Sequence, residues 1–134
     1  MTRHLILGGI AAVLMSATTV AADPVDGLWK TGTGDDGGYL HVSIAPCGSA
    51  ICGTIDSAFN SAGDQELNYE HDGKQMIWDM VPDGSGGYSG GQIWDPEADK
   101  NYKSKMQLNG NTLVVKGCVA GGLICKGQDW TRIQ

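Results

Sequence analysis

Positive charge is scarce in this chain: nine lysines and arginines stand against fifteen aspartates and glutamates, for a net charge of −6. An acidic surface repels phosphate backbones and anionic lipid, so nucleic acid and electrostatic membrane binding are not expected. Sustained helical periodicity is missing as well, and so are 20–50-residue repeats, charge blocks and proline-rich linkers. Beyond residue 22 no apolar run approaches membrane-spanning length, which leaves no expected membrane span. Neither Gly-x-Ser-x-Gly nor His-Glu-x-x-His occurs. With no catalytic motif, an enzyme reading rests on nothing positive; no catalytic residue, cofactor or metal is expected. Phenylalanine occurs once, and glycine, at 21 residues, is the most prominent presence.

The first residues are organised differently from the rest. A short basic start, Thr2-Arg3-His4, precedes an apolar run from Leu5 to Met15 and the small-residue sequence Val20-Ala21-Ala22. This is the layout of a cleaved secretory signal peptide over residues 1–22, with a single mature domain over 23–134. Without Arg3 the basic side chains fall to eight against fifteen acidic, a net charge of −7. The first cysteine is Cys47, far from Asp23, so a lipid anchored on the first mature residue is excluded if the chain is cut there. The expected destination is the periplasm or the exterior, where cysteines are disulfide candidates.

Short alternating runs dominate the mature segment. Leu40, Val42 and Ile44 oppose Tyr39, His41 and Ser43, and Ile51, Gly53 and Ile55 continue the period of two. Met76, Trp78 and Met80 form a further stripe, Tyr102 to Leu108 alternates with Lys103, Lys105 and Gln107, and Leu113 and Val115 follow. With residues 27–33, 88–95 and 123–133 this predicts about eight antiparallel strands, an all-β fold. Gly-rich turns separate them, Asn109-Gly110 being the strongest hairpin signal. Residues 57–74 break the short-loop pattern: they are polar, acidic and aperiodic, and read either as a lid or as a surface loop.

Each cysteine pair flanks a turn. A Ser49-Ala50 turn sets Cys47 opposite Cys52, and a two-residue Gly121-Gly122 turn sets Cys118 opposite Cys125, with parity placing all four on the outer face. Facing positions on paired strands lie roughly 4.5–5.5 Å apart, within bridging range. The predicted disulfides are therefore Cys47–Cys52 and Cys118–Cys125. A zinc site is the rival reading, but neither pair has the tight spacing of a zinc knuckle.

Gly27-Leu28-Trp29 opens the mature domain and Trp130-Thr131-Arg132 closes it. A Gly-x-Trp on the first strand with an Arg on the last resembles the signature of lipocalin-like (calycin) barrels. The resemblance implies that Arg132 lies across the Trp29 ring and closes one barrel end, a contact worth about 0.5–2 kcal/mol. Together with Gly90-Gly91-Gln92-Ile93-Trp94-Asp95-Pro96, Lys100-Asn101-Tyr102, Lys105, Leu113 and Gly117, the chain is similar to the bacterial secreted proteins of domain of unknown function 2147. That resemblance runs from Asp26 to Arg132 and implies an exported, small antiparallel lipocalin-like barrel, with no general activity attached. The turn Pro96-Glu97-Ala98-Asp99-Lys100 departs from the family pattern, which carries Gly where this chain has Asp99.

Four oxygen-bearing residues, Asp95, Glu97, Asp99 and Asn101, alternate like the start of a calcium loop. The sixth and twelfth positions are Lys100 and Met106, however, where such a loop needs Gly and Glu. His41 is expected to face solvent and His71 lies in the long loop. Trp78, Trp94, Met76, Met80, Tyr88 and Met106 are the candidate lining of an apolar pocket, with a filled interior as the alternative. The leading functional expectation is a binding module for a small apolar ligand at the barrel interior or mouth. An envelope protein that binds a protein partner through exposed edges or loops is the alternative, and a hydrolase the third reading. No specific protein partner is indicated.

Overall fold

The computed structural model describes residues 8–10 and 22–134. Apart from residues 8–10 and Ala22, the leader expected over 1–22 lies outside the described residues. Eight strands follow in order: β1 (Gly27–Lys30), β2 (Tyr39–Cys47), β3 (Ala50–Phe59), β4 (Gln75–Pro82), β5 (Gly87–Asp95), β6 (Lys100–Asn109), β7 (Thr112–Val119) and β8 (Ile124–Arg132). Each pairs antiparallel with its sequence neighbours, and β8 returns to β1, so the sheet closes into a barrel. Closure matters because it removes the unpaired strand edges that an open sheet would present. The seam is short, with only Trp29↔Arg132 and Lys30↔Thr131 in register. Leu28 extends it by donating its N–H to Gln134 O at 2.9 Å and accepting from Ile133 N at 2.8 Å.

The eight-strand expectation is met because alternation controls which side chains leave water. On β2 Val42 and Ile44 are buried while Ser43 and Ala45 are exposed, and on β6 Ser104 and Met106 are buried between exposed Lys103, Lys105 and Gln107. Trp29, Trp130, Ile44, Ile55, Ile77, Met80, Leu113, Val25 and Val42 are all but inaccessible to solvent and fill the barrel. Each such side chain contributes about 1.5–3 kcal/mol through removal from water.

Strand β4 departs from the expected Met76, Trp78, Met80 stripe. Its register against β3 shifts between Gly53 and Thr54, which pair with Ile77 and Gln75, so Met76 is an extra residue on β4. The bulge puts adjacent Met76 and Ile77 both into the buried set, and Asp79, with φ of 58°, re-phases the strand before Met80. Trp78 is left half-buried, packed against the core's margin.

Two hairpin turns also differ from expectation. Cys47 pairs with Ala50 and Cys52 with Ala45, so the turn is Gly48-Ser49 and the Cys47–Cys52 bridge runs diagonally across the hairpin, with Cα atoms 5.8 Å apart. Cys118 and Cys125 do face each other, with Cα atoms 4.1 Å apart, but pairing stops at Val119↔Ile124. The connection is thus four residues, 120–123, rather than Gly121-Gly122 alone. Gly121 and Gly122 adopt φ of 69° and 95°, and Ala120 is left-handed as well, at 54°. A residue other than glycine, asparagine or aspartate is strained in that region. Ala120→Gly is expected to raise stability by about 0.5–1 kcal/mol, the relief of strain exceeding glycine's extra unfolded-state freedom. Urea denaturation showing a loss of stability would contradict this.

Candidate functional site

The two ends of the barrel are built from different material. One carries the short turns β2–β3, β4–β5 and β6–β7 together with residues 23–26 and the C-terminus. The other carries residues 31–38, the long connection 60–74, the turn 96–99 and the turn 120–123.

The first end is sealed. Val25 is fully buried, and the Trp29 indole Nε1 donates to its carbonyl oxygen at 2.9 Å. The Arg132 guanidinium carbon lies 4.4 Å from the Trp29 ring centroid. Arg132 Nη1 donates to Asp26 O at 3.0 Å and Nη2 to Pro24 O at 2.7 Å. The cation over the indole face and the two charge-assisted hydrogen bonds tie the segment before β1 to the end of β8. Tyr88 completes the plug by donating its hydroxyl to Asp23 Oδ1. Burial, then the Asp23 carboxylate, pushes the Tyr88 phenol far above its ordinary value, so it stays protonated and remains a donor.

The second end is looser and more aromatic. Trp94, near the end of β5, is buried and belongs to the core cluster. Its Nε1 donates to Asp99 Oδ1 at 2.9 Å, the His71 ring meets it edge-on at 4.9 Å, and Lys74 Nζ lies 3.4 Å from its ring centroid. Tyr69 stands edge-on to His71 at 5.3 Å, and His71 Nε2 lies 3.3 Å from Glu70 Oε1. Burial, then the carboxylates Glu66, Glu70, Asp72 and Glu97, pushes the Tyr69 phenol up. Beside it an open concavity of about 560 Å³ is lined by Glu66, Asn68, Tyr69 and Glu70. Leu40 and Ile93 are only partly buried here, and Tyr102 and Gly117 stay half-buried although they share the inward face with Ser104 and Met106. Across the mouth, Gly34 lies so close to Glu97 that any side chain there would meet the Glu97 carboxylate.

The six pocket candidates are not gathered in one place. Met80, Tyr88 and Met106 are buried; Tyr88 and Met106 face each other across β5 and β6, and Tyr88 reaches the plug. Met76 and Trp94 stand toward the loop-bearing end, and Trp78 lies half-buried on β4. Tyr69 and Lys74 reach Trp94 from the long loop over 57–74, the segment expected to contribute to a site with it, whereas Asp99 was not expected there. For Asp99 a signal existed, the departure from the family's glycine. Asp99 keeps a left-handed backbone, with φ of 49°, and uses its side chain to hold the indole. Asp95 Oδ1 accepts from Glu97 N at 2.9 Å and Ala98 N at 3.4 Å, so the four residues that resembled a calcium loop build a hairpin turn. No group of three or more His, Cys, Asp or Glu among the described residues could hold a metal ion.

His41, expected to face solvent, is on the outer face but half-buried between aromatic rings. Phe59 lies 4.4 Å away and Tyr39 6.0 Å, with Tyr39 and Phe59 stacked at 5.0 Å and Lys30 Nζ 4.2 Å over Tyr39. Burial lowers its pKa below 6.5; Asp56 opposes this and Lys30 adds to it. A depressed value means that the unfolded chain binds the proton more readily. The neutral-ring contribution is therefore present above about pH 6.5 and is lost as pH falls through the folded value. His41→Gln is expected to flatten that part of the pH–stability curve between about pH 5 and 7, and an unchanged slope in thermal melts would refute the assignment.

The profile of a family described as "Uncharacterized protein conserved in bacteria (DUF2147)" matches residues 27–132. No curated protein matches the sequence. Among solved structures the barrel is similar to protein HP1028 from the human pathogen Helicobacter pylori, described as belonging to the lipocalin family. The two superpose with a TM-score of 0.65 at 16% identity over 81% of this chain and 82% of that one. At that identity the likeness is one of fold.

Proposed function

The chain belongs to the DUF2147 family, and from that premise we propose that it is an exported binding module that takes a small apolar ligand at the loop-bearing mouth of its lipocalin-like barrel. One observation carries the choice of the mouth over the interior: side chains fill the barrel behind a sealed end, whereas Leu40, Ile93 and Tyr102, on the inward face toward the loops, remain partly accessible. Trp94 pairs with exposed Asn101, on the face of β5 opposite Ile93, so Trp94, Tyr69 and His71 supply aromatic surface on the outer side of this rim. Apolar walls with a few fixed polar groups are the usual chemistry of small-ligand sites. Here Lys74 and Gln128 are polar groups at this end, Gln128 accepting from Trp130 Nε1 at 2.7 Å. Two disulfides support export, since such bridges persist in oxidising compartments.

Titration with fatty acids and isoprenoids tests the reading. Saturable quenching of tryptophan fluorescence is expected in the native chain and is strongly reduced in Trp94→Phe, which loses the hydrogen bond to Asp99 and is expected to melt about 5 °C lower while remaining folded. No response across the panel, or an undiminished response in Trp94→Phe, contradicts it.

A second reading has its own observation. At the turn after β7, Leu123 and Ile124 are 87% and 64% exposed beside exposed Val119. Apolar side chains clustered on a turn suit a protein partner in the envelope. Crosslinking in intact cells that recovers one defined partner, lost in Leu123→Ser, favours this reading over a ligand.

A further inference from the structure

We propose that Asp26 is the receptor for the α-amino group created when the leader is cut between Ala22 and Asp23, so that processing itself completes the sealed end of the barrel. The inference rests on the exported reading above and is independent of any ligand.

The backbone nitrogen of Asp23 already donates to Asp26 Oδ2 at 3.0 Å. The Asp23 side chain is held from two sides, its Oδ1 accepting from Val25 N at 3.0 Å and from the Tyr88 hydroxyl. Asp26 Oδ1, by contrast, is buried with no hydrogen-bond partner. An acceptor withdrawn from water and left unmatched is a cost to folding. Burial holds the Asp26 carboxyl above the usual carboxylate range, and the neighbouring Asp23 charge adds to this against the Asp23 backbone hydrogen bond. The cation that reaches this segment, Arg132, gives its donors to the carbonyl oxygens of Asp26 and Pro24 and not to either carboxylate. Two carboxylates thus stand at one nitrogen with no paired positive charge among the described residues.

In the uncut chain that nitrogen is an amide with one proton and no charge. Hydrolysis of the Ala22–Asp23 bond adds water, leaves a carboxylate on Ala22 and turns the nitrogen into an ammonium with three protons. One proton keeps the bond to Asp26 Oδ2. Two further donors and a full positive charge arrive where Asp26 Oδ1 lacks a partner. A charge-assisted pair of this kind is stronger than a neutral hydrogen bond. Because residues 23–26 carry Val25 over the Trp29 indole, anchoring Asp23 also pins the plug.

The charged and titratable groups around this segment are Asp23, Asp26, Tyr88, Arg132 and the terminal oxygens of Gln134, which lie against Gly27, and together they set the pH window. Pairing raises the α-amino pKa above its ordinary value of about 7.7–8, so the added stability is full below that value and is lost as pH rises through the folded one. On the acid side it fades as the two carboxylates take up protons.

The test compares chains begun at Asp23 and at Ala21, the second keeping an amide at Asp23, each also as Asp26→Asn. At pH 7 the chain begun at Asp23 is expected to melt about 5 °C higher, with the gap closing to about 1 °C at pH 10 or in the Asp26→Asn pair. Equal melting at pH 7, or a gap that persists at pH 10 or in Asp26→Asn, overturns the role of Asp26. Should Asp26→Asn fail to fold, the α-amino pKa of the chain begun at Asp23 decides. A value above about 8.5 supports the pair, and an ordinary one refutes it. Mass spectrometry of the exported protein separates the two claims, since a first residue other than Asp23 refutes the processing step, whereas the melting comparison tests the ion pair by itself.

Discussion

Trp29→Ala is expected to lower unfolding free energy by about 3–5 kcal/mol, a large share of the roughly 5–15 kcal/mol that holds a domain of this kind together. Trp29 lies on the shortest strand, and that strand closes the barrel through two residue pairs. Its loss opens a cavity beneath Val25, removes the hydrogen bond to the Val25 carbonyl and strips the Arg132 guanidinium of the ring it covers. Arg132 would keep its two backbone carbonyls, so Trp29→Phe, which retains an aromatic face but not the indole N–H, should cost only about 1–2 kcal/mol. Urea denaturation distinguishes the two. A Trp29→Ala cost below about 1 kcal/mol would mean that the seam is held elsewhere.

The second large effect concerns the disulfides. Reduction is expected to destabilise the barrel by about 2 kcal/mol per bridge, because each closes a short loop and removes a correspondingly modest amount of unfolded-state freedom. The sequence separations are 5 and 7 residues, and the half-cystines Cys52 and Cys118 are buried. Losing both should lower the melting temperature by roughly 15 °C for a domain of this size. Cys118→Ala with Cys125→Ala should account for about half, since the bridges lie on different hairpins at opposite ends and their effects should add. A reductant-treated protein that melts within about 2 °C of the oxidised one would contradict this account.

Much of the barrel was legible because alternation in an antiparallel sheet translates directly into facing. On β2 and β6 polar residues interrupt the apolar ones at every second position, so Val42, Ile44 and Met106 could be assigned to the interior, and on β7 Leu113 and Val115 follow from the Asn109-Gly110 hairpin that sets them against β6. Strand β4 carries no such signal. Met76, Ile77 and Trp78 are all apolar, and the bulge that decides among them depends on β3 across the sheet. The turn at 120–123 was misread for a related reason. Gly121-Gly122 satisfies a two-residue hairpin locally, while the actual connection also takes Ala120 into the left-handed region.

The loop-bearing mouth was the least legible part. Trp94 could be named as a candidate, but nothing local to residues 60–74 says that His71 and Lys74 will lie against a tryptophan about twenty positions away. Their contact is made through space by the pairing of β4 with β5. The sealed end was more readable, because the Gly-x-Trp and terminal Arg pair carries its own physical logic: a cation on an indole face joining the first strand to the last.

Native-state hydrogen exchange tests the central claim, a barrel sealed firmly at one end and yielding at the other. Amides of Trp29, Val42, Ile44, Leu113 and Trp130 should exchange only through global unfolding, with those of Val25 and Asp26 close behind, while Tyr69, His71 and Leu123 exchange far faster by local opening. If residues 25–29 exchanged as readily as residues 60–74, the sealed end would not exist and the mouth would lose its distinction as the site.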